Sequence, residues 1–130
     1  MTREEQIKNM ENSGFIKNNN ITVIEVEEGK SATIKALITE TSINPYNIAH
    51  GGFIFGLGDT AMGVVAASIN KKALTLNSTI NYLHPSTGSY LIAKAELIKG
   101  GTKTAFIRTN IYNDKEQLVA TMEGNYFYID

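Results

Sequence analysis

Between residues 41 and 70 the chain carries one formal charge, the carboxylate of Asp59. Within that stretch, residues 48–69 form a run of 22, roughly the length a helix needs to cross a bilayer. Five glycines (Gly51, Gly52, Gly56, Gly58 and Gly63), an acid near the middle and no basic anchor at the start argue against that use. An aspartate at the centre of a span costs about 3 kcal/mol on insertion scales. A helix apolar on nearly all sides is more simply one wrapped by protein, so no membrane partner is expected. The rest of the chain must then supply the wrapping.

It has the means. At 130 residues the chain fits one domain, residues 1–130, with a single sheet-and-helix core. Apolar residues at 42% and charged ones at 19% describe an ordinary soluble globular chain. A net charge of −1 leaves no concentrated basic face for nucleic acid. The absence of cysteine excludes disulfides, thiolate metal sites and cysteine nucleophiles. His50 and His84 are the two histidines, and neither sits beside a carboxylate cluster. No metal or cofactor is therefore expected. The N-terminal segment is polar and mixed in charge, without the apolar core of a secretory signal, so a cytoplasmic location is expected.

Periodicity orders the elements. Residues 2–13 form a short surface helix with a thin apolar side, Ile7 and Met10, stopping at Gly14. Alternation over residues 21–26 marks a strand, residues 28–30 a turn and residues 32–39 its partner. Residues 40–50 are a loop around Asn44-Pro45 and Asn47. The long helix spans residues 51–69. Four strands follow over 73–84, 89–99, 103–112 and 117–129, broken by turn chemistry at 85–88, 100–101 and 113–115. Ala105, Ile107 and Ile111 share one face, as do Leu118, Ala120 and Met122. Strands of ten residues span about 33 Å and a 19-residue helix about 28 Å, so a curved antiparallel sheet can cover the helix along its length. The expected class is α+β.

Asp59 stands among Phe53, Ile54, Phe55, Leu57, Ala61, Met62, Val64 and Val65. A carboxylate in such surroundings is paired, hydrogen-bonded or neutralised. It either bonds a nearby backbone group where the helix meets solvent or does chemistry. The start of the helix favours chemistry. His50-Gly51-Gly52 opens it, and the first amides of a helix lack internal partners and carry positive partial charge. Glycines there let a substrate carbonyl approach those amides, which is the physics of an oxyanion hole; equally, two glycines ease a tight loop-to-helix junction. Gly51 and Asp59 lie about 12 Å apart along one helix, whereas attack and oxyanion binding must meet at one carbonyl. If both act, the site is shared between subunits across a two-fold axis. A homodimer would also cover an edge of the sheet.

The run Asn44-Pro45-Tyr46-Asn47-Ile48-Ala49-His50-Gly51-Gly52, with Leu57 and Asp59-Thr60-Ala61-Met62-Gly63, resembles the PaaI-like hotdog thioesterases. That group includes phenylacetyl-CoA thioesterases, one type of 4-hydroxybenzoyl-CoA thioesterase and the human-type acyl-CoA thioesterase 13. The resemblance continues through Thr75-Leu76-Asn77-Ser78-Thr79-Ile80-Asn81-Tyr82-Leu83-His84-Pro85, Gly100-Gly101 and Leu118-Val119-Ala120-Thr121, covering residues 40–125. It implies a hotdog fold that dimerises into a continuous sheet, commonly as a homotetramer of two dimers, and an acyl-CoA substrate. It implies that Asp59 activates water or attacks the thioester carbonyl, that the Gly51 amide holds the carbonyl oxygen, and that Asn44 positions water or carboxylate. His50 would help fix substrate and loop, and Thr75 would assist near the nucleophile. Coenzyme A would pass Gly52, Asn77, Tyr82, His84, Ser86, Lys99, Gly101 and Lys103. One departure is Asn47, where the family often has glycine; asparagine also tolerates left-handed geometry.

Hydrolysis of an aryl-acetyl or medium-to-long acyl-CoA is the main expectation. A hotdog dehydratase or hydratase pairing His50 with Asp59, and a non-catalytic acyl-CoA sensor, are the rivals. Phe53, Phe55, Met62 and Tyr82 either line an acyl pocket or belong to the core.

Overall fold

The computed structural model describes residues 2–129. Helices α1 (Arg3–Glu11) and α2 (Gly14–Asn18) precede strands β1 (Ile21–Glu27) and β2 (Ser31–Leu37). The long helix α3 (Gly51–Ala67) follows, and then β3 (Ala73–Tyr82), β4 (Tyr90–Gly100), β5 (Thr104–Asn113) and β6 (Leu118–Tyr128). The strands make one antiparallel sheet in the order β1-β2-β4-β5-β6-β3. After α3 the chain therefore crosses the whole sheet to place β3 on the edge opposite β1. This is the α+β arrangement expected, one helix wrapped by one curved sheet.

Alternation explains which side faces the helix. In β5 the residues Ala105, Ile107, Thr109 and Ile111 are buried in turn, and in β6 so are Ala120, Met122, Tyr126 and Tyr128. Leu118 departs from the expected inward set: it is 38% exposed while its neighbour Val119 is buried. A register shift at Ile111/Tyr112 is the cause, because Tyr112 pairs with Leu118 and Val119 is skipped, which turns the strand by one residue.

α3 packs against the sheet along most of its circumference, and Leu57, Ala61 and Met62 are fully buried. A β-carbon on Gly58 would run into the sulfur of Met122, so glycine there lets the sheet approach the helix backbone. Leu57→Ala would open a cavity at this contact, costing about 2–5 kcal/mol. Phe53 and Met62 belong to this core rather than to an open pocket. Among the described residues no helix is long and apolar enough to cross a membrane.

The ends of the helices differ from expectation in a way their caps explain. α3 stops at Ala67, where the Ser68 hydroxyl donates to the Val65 carbonyl (2.7 Å) and accepts from the Gly29 N–H (2.8 Å). Gly14 does not end the first helix; it begins α2, and the left-handed residue that turns the chain into β1 is Asn20 (φ 55°).

Candidate active site

Asp59 sits midway along α3 and is half-buried. Its Oδ1 accepts hydrogen bonds from the Thr75 hydroxyl (2.8 Å) and the Tyr126 hydroxyl (2.6 Å). The Tyr126 hydroxyl also lies 3.0 Å from the Asp59 carbonyl. Thr75 on β3 and Tyr126 on β6 are directly paired across the sheet, so register alone brings both hydroxyls to one carboxylate oxygen. No described residue donates to Oδ2, which leaves that oxygen available to a substrate or water. Burial first, and then the hydrogen bond to Asp59 and that carboxylate's charge, push the Tyr126 hydroxyl far above its ordinary range. It therefore remains a proton donor to Asp59.

Sequence reasoning named Thr75 and missed Tyr126. The signal was present: Tyr126 continues the inward phase of Ala120 and Met122, and a tyrosine buried to 1% exposure needs a partner for its hydroxyl. Asn77 does not reach Asp59; a register shift between Thr75 and Asn77 turns it toward Asn125, whose side-chain amide donates to it at 3.1 Å.

The start of α3 is built differently. His50 is the N-cap, and its Nδ1 accepts the Gly52 N–H at 2.8 Å. That geometry requires a proton-free Nδ1 and places the neutral ring's proton on Nε2. The Gly52 amide is thus held by His50 within the chain. The Gly51 N–H has no acceptor among the described residues, while its carbonyl accepts the Tyr82 hydroxyl at 2.7 Å. Burial raises the Tyr82 hydroxyl above its ordinary value. Tyr82 thus ties the end of β3 to the first residue of α3.

Asn44 holds the preceding loop. Its side-chain oxygen accepts the N–H groups of Tyr46 (2.9 Å) and Ile48 (3.3 Å), an arrangement that leaves only the side-chain NH₂ for a ligand. Asn47 adopts φ 62°, the left-handed geometry for which glycine or asparagine is suited. A depression of about 380 Å³ beside Gly51 is lined by Ile48, Ile54, Tyr82, His84, Pro85 and Ser86. Ser86 is buried there, and its hydroxyl has no partner among the described residues. A second cleft of about 310 Å³ holds Asp59 and Thr75 with Tyr126, Gly63, Leu74 and Ile16.

The residues expected along coenzyme A do not lie together in one chain. Tyr82, His84 and Ser86 are at the Gly51 end of the sheet, whereas Lys99, Gly101 and Lys103 are at the Asp59 end. Register shows why: Tyr82 pairs with Ala120 near the start of β6, while Gly100 pairs with Ala105, itself opposite Tyr126. Lys99 and Lys103 are exposed, and the Gly101 amide is occupied by the Thr104 carbonyl at 2.8 Å, so it is not free for phosphate.

The Thioesterase superfamily matches residues 46–120, which include the start of α3, Asp59 and Thr75. The acyl-coenzyme A thioesterase PaaI of Escherichia coli K12 is 30% identical over 115 residues, spanning 88% of this chain and 81% of that one. The solved structure of the Escherichia coli PaaI protein from the phenylacetic acid degradation operon superposes with a TM-score of 0.91 at 27% identity, covering 98% of this chain and 92% of that one. A Streptococcus mutans UA159 protein solved bound to acetyl-CoA superposes at 0.79 with 30% identity, covering 84% of this chain and 88% of that one. The shared architecture is the hotdog fold, and the family match spans more than half of the residues. The chain belongs to the thioesterase superfamily, among its PaaI-like acyl-CoA thioesterases.

Proposed function

We propose that the chain hydrolyses an acyl-CoA thioester to free acid and CoA in a site shared by two subunits, with Asp59 from one and the Gly51 N–H from the other. The observation that supports this reading is that one strand, β3, anchors both groups of α3. Thr75 holds Asp59 near the start of β3 and Tyr82 holds Gly51 at its end. β3 is an open edge with no charged residue. Pairing β3 with a second β3, antiparallel across a two-fold axis, sets the start of each beside the end of the other. Asp59 of one subunit then faces Gly51 of its partner, which no single copy achieves over a helical distance of about 12 Å. The same pairing reunites the two halves of the coenzyme A path: Tyr82, His84 and Ser86 of one subunit with Lys99, Gly101 and Lys103 of the other. Two such dimers would make the tetramer common in the family.

In this arrangement the Gly51 N–H polarises the thioester carbonyl and holds the oxyanion, a contribution of about 10²- to 10³-fold per donor. The open Oδ2 of Asp59 takes a proton from water as the water oxygen bonds the carbonyl carbon, or it bonds that carbon itself. The C–S bond then breaks and the proton held on Asp59 passes to the sulfur, so CoA leaves as thiol. Where Oδ2 bonds the carbon itself, the thiolate takes its proton from a water, and a water then hydrolyses the acyl–Asp59 anhydride to free acid. Thr75 and Tyr126 hold Oδ1 so that Oδ2 points outward. Asn44, through its NH₂, and the Nε2–H of His50 are the remaining donors for water and substrate.

Gly51 is the first helical residue, where proline is well tolerated, and the His50 backbone (ψ 139°) already has the extended form a following proline demands. Gly51→Pro therefore removes the amide hydrogen with little cost to the helix backbone, while its β-carbon, 3.3 Å from the Tyr82 hydroxyl, requires that side chain to give by a few tenths of an ångström. Asp59→Asn and Gly51→Pro should each lose at least about 100-fold in kcat/KM on a panel of acyl-CoAs followed by thiol release. Mixed and re-annealed, Asp59→Ala and Gly51→Pro subunits should recover about a quarter of wild-type turnover, because half the dimers carry one intact site of two. Folded variants that show no recovery would overturn the shared site. Enoyl-CoA hydration without thiol release would point to a dehydratase, and binding without turnover to a sensor.

A further inference from the structure

α1 is fastened by polar groups at both ends and thin between them. Arg3 donates to the Ser68 carbonyl (2.9 Å) and lies 3.6 Å from the Glu28 carboxylate, and Gln6 bonds Asn70. At the other end Glu11 accepts the Val23 N–H at 2.7 Å. The helix buries none of its own residues. Beneath it remains a hollow of about 400 Å³, walled by Ile7, Met10, Val26, Val64 and Ala67. Met10 is the half-buried side chain of α1 that packs against the core.

The hollow adjoins the Asp59 cleft. Met10, Val64 and Ala67 line both, so the two spaces lie on either side of Met10 and follow the same face of α3. One turn beyond Asp59, at i+4 and on the same face, stands Gly63. A β-carbon there would touch only the Tyr126 ring, at 3.9 Å. The missing side chain leaves a way past the carboxylate toward Ala67.

Resting on the thioesterase reading above, we infer that the acyl group is a straight aliphatic chain of medium length. It runs from Asp59 past Gly63 and under Met10 into the hollow beneath α1. From Asp59 to Ala67 is about 12 Å along the helix, the reach of roughly ten extended methylenes. Asn70 and Lys71 close the far end with polar groups, which limits the length. An aromatic acyl group would fill the first cleft and leave the second empty. Each methylene buried in the channel multiplies transition-state binding about three- to fourfold.

The test is kcat/KM of the full chain for straight acyl-CoAs of two to twelve carbons and for phenylacetyl-CoA. The expected profile climbs at least 100-fold from butyryl to octanoyl, levels near ten carbons, and leaves phenylacetyl-CoA below octanoyl-CoA. Met10→Trp, which plugs the passage, should cut the octanoyl-to-butyryl ratio at least tenfold. Gly63→Leu should cut the hexanoyl-to-acetyl ratio similarly and serves if Met10→Trp does not fold. A flat profile, a phenylacetyl preference, or unchanged ratios in folded variants would overturn the channel while leaving the hydrolase in place. Thiol release from none of the acyl-CoAs would overturn the thioesterase reading itself.

Discussion

The two edges of the sheet are made of opposite materials. β1 has seven residues, carries Glu25 and Glu27, and is covered by α1 and α2. One of its backbone amides, on Val23, is capped by the Glu11 carboxylate. β3 has ten residues and no charge, and Leu74 and Leu76 are each 58% exposed. Charge, shortness and a covering helix are how a chain blunts an edge, and β3 has none of them. Both edges even carry a bulge with an exposed apolar residue skipped by the register, Ile24 at 57% and Leu76 at 58%. The difference teaches that exposure of one residue says little. What distinguishes an interface from a finished edge is the whole strand, and here the open strand is also the one that carries Thr75 to Asp59 and Tyr82 to Gly51.

That contrast can be broken by matched substitutions. Leu76→Lys places a charge on the open edge and should convert the proposed dimer to monomer with a loss of at least about 100-fold in kcat/KM, since the proposed shared site loses a donor of that worth. Ile24→Lys, equal in chemistry and exposure, should leave mass unchanged and turnover within about twofold. Light scattering with thiol-release kinetics reads both, and equal behaviour of the two variants would erase the distinction.

A smaller effect sharpens it from the strand behind β3. Tyr126→Phe keeps the edge intact but removes one donor to Asp59, so kcat should fall roughly ten- to a hundredfold with the oligomeric mass unchanged, as for a lost hydrogen bond to a charged group worth about 1.5–3 kcal/mol. The same hydroxyl gives a pH signature. Its pKa is raised in the folded chain, so above about pH 10 the unfolded chain loses the proton first. Stability then falls as pH rises, and Tyr126→Phe should flatten that fall in urea titrations. Smallest is Glu11→Ala on the finished edge. It should lower stability by about 1–2 kcal/mol through the uncapped Val23 amide, with the dimer intact by light scattering.

Much of the architecture was legible because it is written in local periodicity. The α+β order, the wrapped helix and most strand positions follow from spacing within single elements. Leu118 escaped because a bulge shifts phase, and no composition of the strand announces a bulge. Gly14 escaped because a glycine after a helix reads as a stop until the following residues are seen to form a helix of their own. Within the site, the unusual acid and the glycines at the start of α3 stood out in the chain. Tyr126 did not, because nothing around it in sequence refers to Asp59, 67 positions away.

By itself the sequence determined that one apolar helix must be wrapped, that one acid must be accommodated in it, and that glycine opens it. These are consequences of burial and of backbone geometry, which act over a few residues. Only the tertiary structure decided which groups meet. It gave Oδ1 of Asp59 to Thr75 and Tyr126, gave the Gly52 amide to His50, and tied Asp59 and Gly51 of α3 to opposite ends of one open strand. Those outcomes depend on the register between strands distant in the chain, and a shift of one residue turns every side chain to the other face.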